Sequence, residues 1–285
     1  MLAIKSVGVA GSGLMGSGIA EVSAKAGFDV VLRGRTQASA DAALGRLARS
    51  LDGQVASGKL SADDGNAALN RVRATTALED LGACDIVVES VVEDLGVKQQ
   101  LFEDLDRMCP EGTILATNTS TLPVTDIAAS TSRPDRVVGL HFFNPAPKMP
   151  VVEVVPAITT TDETVDTTRR FAEHLGKNPV MAADNAGFIV NALLFPYLNS
   201  AVRMLEDGIA TKEDIDEAMR GGCGVPMGPL ELLDLVGLDT SLAILCALDS
   251  QRADRCAAPA ALLQQMVSSN ELGRKTGQGF YAYPK

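Results

Sequence analysis

The sequence predicts an α/β fold, with an N-terminal doubly wound Rossmann-type sheet and a C-terminal all-helical domain. Three observations predict it. A short apolar run, Ile4–Ala10, leads straight into Gly11-Ser-Gly13-Leu14-Met15-Gly16, and an alanine-rich helical pattern follows to Lys25. Further short apolar runs then alternate with helical patterns, which is the rhythm of parallel strands joined by crossover helices. Around Asp184–Gly187 the strand-like runs stop, and long apolar helical patterns cover Phe188–Leu205 and Gly228–Leu248. The join is therefore placed near residue 185, with a dinucleotide-binding domain over 1–184 and a helical domain over 185–285.

Composition narrows the partners. The chain has 285 residues, enough for two domains with sizeable cores. A formal net charge of −11 and a pI near 4.7 argue against nucleic acid or anionic membranes as general partners. Cys84, Cys109, Cys223, Cys246 and Cys256 show no CxxC and no paired spacing, so neither a metal site nor a disulfide framework is expected. No apolar run approaches the roughly 18 residues of a membrane span. The opening residues carry no charged leader or cleavage site, and a cytoplasmic protein is expected.

Taken in order, Ile4–Ala10 reads as a buried parallel strand. In the glycine motif, Gly11 permits the tight turn, Gly13 lets the backbone approach a pyrophosphate, and Gly16 lets helix and strand pack closely. The phosphates of a dinucleotide would then face the unsatisfied N–H groups of the helix that starts at Leu14 and Met15. Phe28–Leu32 is the second strand. Sites for NAD usually place Asp or Glu at its end, about 20 residues after the glycines, to hold the ribose 2′-hydroxyl. Here the chain reads Arg33-Gly34-Arg35-Thr36, and the first acid is Asp41. Two arginines suit a 2′-phosphate, so NADP is favoured over NAD.

Thr36–Leu69 is helical with a break at Gly58-Lys59, and Lys59 is the cation there for a phosphate-bearing substrate. Strands are expected at Arg71–Thr76, Ile86–Val92, Thr113–Ala116, Val137–Leu140 and Val151–Val155. Ligands of open α/β sheets bind beyond the carboxyl ends of the strands. Glu93 and nearby Lys98 stand there after one strand, and Asn118 and Ser120 after the next. The Asn118–Ser120 groups could orient a substrate or merely cap a helix.

Leu140–Val155 reads LHFFNPAPKMPVVEVV and holds one of only two histidines, His141. Glu153 is the sole charge in the apolar run that closes this stretch. A carboxylate beside an imidazole makes a general acid/base near neutral pH. Two placements are open for Glu153, an edge strand in water or a buried strand with His141 as partner. The second requires the Asn144–Pro147 turn to fold the two strands together. His174 lies in a helical segment without a polar constellation and reads as structural.

Together these motifs resemble the short-chain L-3-hydroxyacyl-CoA dehydrogenases, above all the bacterial 3-hydroxybutyryl-CoA dehydrogenases. The resemblance spans nearly the whole chain. It rests on GSGLMGSGIA, IVVESVVED, TNTST, GLHFFNPAPKMPVVEVV, NAGFIVN, PMGPLELLDLVGLD and LGRKTGQGFY. It implies His141 as the base that exchanges the 3-hydroxyl proton, Glu153 as the carboxylate that orients it, Ser120 on the substrate oxygen, and Asn191 as a substrate-holding amide from the helical domain. It also implies Glu93, Lys98, Asn118, Ser120 and Asn144 near the nicotinamide, an acyl-CoA thioester as substrate, and a homodimer formed through the helical domain. Gly34 departs from the acidic residue usual in the family, and the 36–69 excursion is poorer in lysine than in many relatives. A carrier-protein thioester therefore stays open as an alternative substrate, and a non-catalytic nucleotide-binding scaffold is the alternative of another class.

Overall fold

The computed structural model describes residues 4–251 and 258–283; Cys256 lies outside them. The chain divides into two compact units, Met1–Asn185 and Ala186–Lys285.

The first unit is built on one eight-stranded sheet. In chain order the strands are β1 (Ser6–Ala10), β2 (Asp29–Arg33), β3 (Val72–Thr75), β4 (Ile86–Glu89), β5 (Ile114–Thr117), β6 (Val137–Phe142), β7 (Val151–Pro156) and β8 (Asn178–Met181). Their order across the sheet is β3-β2-β1-β4-β5-β6-β7-β8. β1 through β6 run parallel, β7 is antiparallel to β6, and β8 is parallel to β7. The order reverses between β1 and β4, which is where open α/β sheets hold their ligands.

Helices α1 (Leu14–Lys25), α2 (Gln37–Ala56), α3 (Ala62–Asn70), α4 (Leu95–Met108), α5 (Val124–Ala128) and α6 (Asp162–His174) connect the strands. The central strands are covered on both faces, while the edge strands β3 and β8 are partly exposed. Val7, Val9, Leu32, Ile86, Val88, Leu115, Val138 and Leu140 are all at most 1% exposed. Each such side chain contributes about 1.5–3 kcal/mol of burial. His174 closes α6 edge-on against the Phe28 ring, at 5.1 Å between centroids, a packing role.

Three expectations shift here. β6 runs through His141 to Phe142, so the histidine is a strand residue and not the first residue after it. β7 is not an edge strand, because β8, which has no periodic signal in its four residues, pairs outside it. The Gly228–Leu248 pattern is two helices, since Gly237 breaks it with a backbone φ of 102°.

The second unit contains α7 (Val190–Glu206), α8 (Lys212–Cys223), α9 (Pro229–Val236), α10 (Leu238–Gln251) and α11 (Ala261–Ser268). Leu198, Val202, Leu230, Leu233, Leu245 and Leu263 form its buried centre. Two buried carboxylates explain its motifs. Asp216 on α8 accepts the backbone N–H of Leu230 and Glu231 at the start of α9, at 2.8 and 3.0 Å. A side chain at Gly228 would collide with it, which accounts for the glycine in the Pro-Met-Gly-Pro sequence. Asp234 on α9 accepts the N–H of Phe280 and Tyr281, both at 2.9 Å, and the Tyr283 hydroxyl at 3.1 Å. It fastens the closing segment, whose Gly273 and Gly279 leave room for it.

Candidate active site

The carboxyl ends of β1, β4, β5 and β6 bring three groups of side chains to one edge of the sheet. At the end of β1, the glycine motif passes beneath Ser90, which follows β4. A side chain at Gly11 would meet the Ser90 carbonyl at 2.1 Å, and one at Gly16 would meet the Gly11 carbonyl at 1.9 Å. Both positions need glycine for close approach. Gly13 differs, since a Cβ there would meet nothing within 4 Å. That face opens onto the cavity beside the turn. Gly13 is also the N-cap of α1, where no side chain caps the helix and no acid occupies the first turn. The first N–H groups of α1, from Leu14 and Met15, are left to an anion.

A cavity of about 450 Å³ opens beside this turn. Val91, Val92, Val97 and Leu101 give it an apolar wall, and Gly11, Ser12 and Gly13 give it a backbone floor. Arg33, Arg35 and Ser39 stand on its remaining side. Among the described residues neither arginine forms an ion pair with a carboxylate; Arg33 donates Nε to the Thr76 carbonyl at 3.3 Å. Asp41, the first acid after β2, accepts from Gln37 at 2.7 Å. Thr36 serves as N-cap of α2 and engages Ser39 in a capping box. An apolar wall, free helix N–H groups and two arginines without a carboxylate partner among the described residues fit a dinucleotide.

Arg46 was not signalled by the sequence. From the third turn of α2 it donates to the Ser12 carbonyl and to Ser17 Oγ, the latter from Nη2 at 3.2 Å, and Ser17 Oγ donates to the Gly13 carbonyl at 2.8 Å. A cation thus backs the glycine turn. Only the packing of α2 on α1 reveals it.

A second group lies past β4 and β5. Lys98, on α4, is 1% exposed and contacts Glu89 Oε1 at 2.6 Å and Glu93 Oε2 at 3.2 Å. Glu89, last residue of β4, is wholly buried and also accepts from Thr117 Oγ1 at 2.7 Å and the Val91 N–H at 2.6 Å. Glu93 Oε1 accepts from Thr119 Oγ1 at 2.6 Å, the Ser120 N–H at 2.8 Å and Ser120 Oγ at 3.3 Å. Burial works to raise the Glu93 pKa, but the Lys98 ammonium and the Thr119 and Ser120 donors outweigh it and hold the carboxylate below its ordinary range. Lys98 is therefore buried rather than solvated, and it holds the partly exposed Glu93 in a network that grips the Thr119-Ser120 turn. Glu89 was the missed member; a carboxylate closing an apolar strand with a lysine nine residues on is the signal. Asn118 ties the next strand in, its Oδ1 accepting the Phe142 N–H at 2.8 Å.

The third group is the pair in β6 and β7. His141 and Glu153 are register partners in the antiparallel ladder, and His141 Nδ1 lies 2.6 Å from Glu153 Oε2. Glu153 is 0% and His141 6% exposed. A buried carboxylate is expensive without a partner, and the register supplies one. The Phe143 ring lies 4.7 Å from the imidazole. The turn that joins the strands carries Asn144, exposed, before a cis bond to Pro145. Lys177 holds the same turn, donating to the carbonyls of Ala146 at 2.6 Å and Met149 at 2.9 Å. Asn191 sits in the first turn of α7, in the second unit, and Lys59 is exposed in the turn between α2 and α3, outside all three groups. Among the described residues no cluster of three or more His, Cys, Asp or Glu could hold a metal ion.

A dinucleotide cradle and a histidine–carboxylate pair on one sheet edge define the class of a nicotinamide-dependent oxidoreductase. Comparison with known proteins gives the family. Residues 6–185 match the 3-hydroxyacyl-CoA dehydrogenase NAD-binding domain, and residues 187–283 match the 3-hydroxyacyl-CoA dehydrogenase C-terminal domain. The chain is 47% identical over 277 residues to a 3-hydroxybutyryl-CoA dehydrogenase of Clostridioides difficile, covering 97% of this chain and 99% of that one. It is 44% identical over 287 residues to the human mitochondrial hydroxyacyl-coenzyme A dehydrogenase, covering 98% and 91%. The crystal structure of (S)-3-hydroxybutyryl-CoA dehydrogenase PaaH1 from Ralstonia eutropha superposes with a TM-score of 0.96 at 41% identity, covering 99% and 100%. The chain belongs to the 3-hydroxyacyl-CoA dehydrogenase family and is an oxidoreductase.

Proposed function

We propose that this protein interconverts 3-hydroxyacyl-CoA and 3-oxoacyl-CoA, with 3-hydroxybutyryl-CoA and acetoacetyl-CoA as the working pair, and that NADP is its preferred cofactor. The His141–Glu153 bond carries the reading. With Nδ1 held by Glu153, the imidazole presents one tautomer, and Nε2 is the nitrogen that exchanges the proton. In the oxidising direction His141 takes the 3-hydroxyl proton, and Glu153 stabilises the imidazolium; in the reducing direction the proton returns. The pair itself is buried, where its electrostatics count for more. Hydride chemistry is what the nicotinamide supplies when bound.

Ser120 donates to the substrate oxygen, and the Glu93 network holds it in place. Asn191 holds the thioester from the second unit, and Asn144, Glu93 and Asn118 border the nicotinamide end. Lys98 serves that end by holding Glu93, and Lys59 gives the CoA phosphates a cation. The second unit forms the homodimer. Arg33 and Arg35 take the 2′-phosphate, with Thr36 and Ser39 closing the capping box of α2 beside them. No helix among the described residues is long and apolar enough to cross a membrane, in keeping with a cytoplasmic enzyme.

The test is turnover of acetoacetyl-CoA with NADPH and with NADH, followed by nicotinamide absorbance. Turnover is expected with both and more efficient with NADPH. No turnover with either cofactor sinks the reaction, and higher efficiency with NADH sinks the cofactor assignment.

A further inference from the structure

Gly34 lies where β2 hands over to α2, and it is a glycine for lack of space. It is buried, and its backbone is not in the left-handed region. A Cβ built on it would lie 2.6 Å from Ser39 Oγ, 2.7 Å from the Ala40 nitrogen and 3.0 Å from the Ala40 Cα. Two of these three are backbone atoms of α2, so no rotamer change relieves the clash.

The turn cannot easily open either. The Gly34 N–H donates to the Thr75 carbonyl at 2.9 Å on the β3 side. On the α2 side the capping box closes it. Thr36 Oγ1 accepts the Ser39 N–H at 3.2 Å, while Ser39 Oγ accepts the Thr36 N–H at 3.1 Å and donates to the Thr36 carbonyl at 2.8 Å. The three residues flanking this contact, Arg33, Arg35 and Ser39, all line the one cavity beside the glycine motif.

We propose that the close approach of Gly34 to α2 is itself the specificity device for the adenosine 2′ position, acting by geometry as well as charge. The closed turn leaves no room for the side-chain carboxylate that would hold a 2′-hydroxyl, and it keeps two guanidinium groups on one wall for a phosphate ester. Ser39 is a positioning residue in this device, because it locks the turn through Thr36. The proposal rests on the NADP reading above and makes a prediction that charge alone does not. If charge decided, an acid at position 34 would move the enzyme toward NADH. If the turn decides, the acid breaks the device and gains nothing.

Dissociation constants for NADPH and NADH, from nicotinamide fluorescence, test this in the parent, Gly34→Ala, Gly34→Asp and Ser39→Ala. Gly34→Ala adds no charge, yet it is expected to lose about tenfold or more in NADPH affinity, the scale of one charge-assisted hydrogen bond. NADH, which lacks the phosphate, should lose less, so the NADPH preference narrows. Gly34→Asp is expected to weaken NADPH without any gain for NADH. Ser39→Ala adds no bulk and loosens the turn, so it should narrow the preference in the same direction; it carries the test if the Gly34 variants fail to fold. An unchanged preference in Gly34→Ala, or in Ser39→Ala, overturns the proposal. So does tighter NADH binding in Gly34→Asp. A parent that itself binds NADH more tightly than NADPH overturns the NADP reading beneath it, a separate result read from the parent alone.

Discussion

His141 and Glu153 face each other across the β6–β7 ladder as register partners, with 2.6 Å between Nδ1 and Oε2. Because the register is fixed by a buried antiparallel pair, the contact is set by the backbone as well as by rotamers. Glu153→Gln keeps the shape and removes the charge that stabilises the imidazolium. We expect kcat to fall about 100-fold or more while cofactor affinity holds. A kcat within about twofold of the parent would remove Glu153 from the proton path.

Lys98 and Glu89 form an ion pair with almost no solvent access, at 1% and 0% exposure. Removing one member of such a pair strands the other. Lys98→Met should therefore cost about 3–5 kcal/mol of stability in chemical denaturation. Loosening of Glu93 should also raise KM through the Ser120 turn. An unchanged denaturation midpoint would mean that Glu89 is satisfied without the ammonium.

Arg46 donates to the Ser12 carbonyl and to Ser17 Oγ behind the glycine turn. Arg46→Leu is expected to weaken NADPH and NADH by the same factor, about tenfold, because the diphosphate is common to both. A loss confined to NADPH would place Arg46 at the 2′-phosphate instead.

Acid should weaken the first unit. Burial works to raise the pKa of Asp85, Asp106 and Glu93 alike. It is outweighed by the Lys5 and Ser6 donors on Asp85, by Ser132 and Arg133 on Asp106, and by Lys98 with Thr119 and Ser120 on Glu93, so all three are lowered. A carboxylate with a lowered folded pKa adds stability that is fully present above its unfolded value. That stability is lost as the pH falls through the folded one. The melting temperature should be level near neutral pH and fall steeply once the pH drops below about 4. A flat profile down to about pH 3 would contradict these assignments.

What could be read from the sequence follows physical range. The glycine motif was legible because strand, turn and helix are neighbours in the chain, although the close approach that Gly11 serves is to Ser90, far along the sequence. The strands were legible as apolar runs, except β8, whose Asn178–Met181 carries no period and gains its place by pairing with β7. His141 and Glu153 could be named, but whether Glu153 is buried depends on that same unforeseen strand. Gly34 was visible as a missing acid; that it has no room for one comes from how the chain turns into α2, which sets Ser39 and Ala40 against it. Arg46 depends wholly on packing between segments far apart in the chain, whereas Glu89 left a nearer trace, a lysine nine residues on.

The most direct test of the proton relay is the turnover of His141→Ala with acetoacetyl-CoA and NADPH, beside a measured dissociation constant for NADPH. A loss of about 10²–10⁴-fold in kcat, with NADPH bound as tightly as by the parent, is the predicted result. Full turnover in His141→Ala would contradict the account.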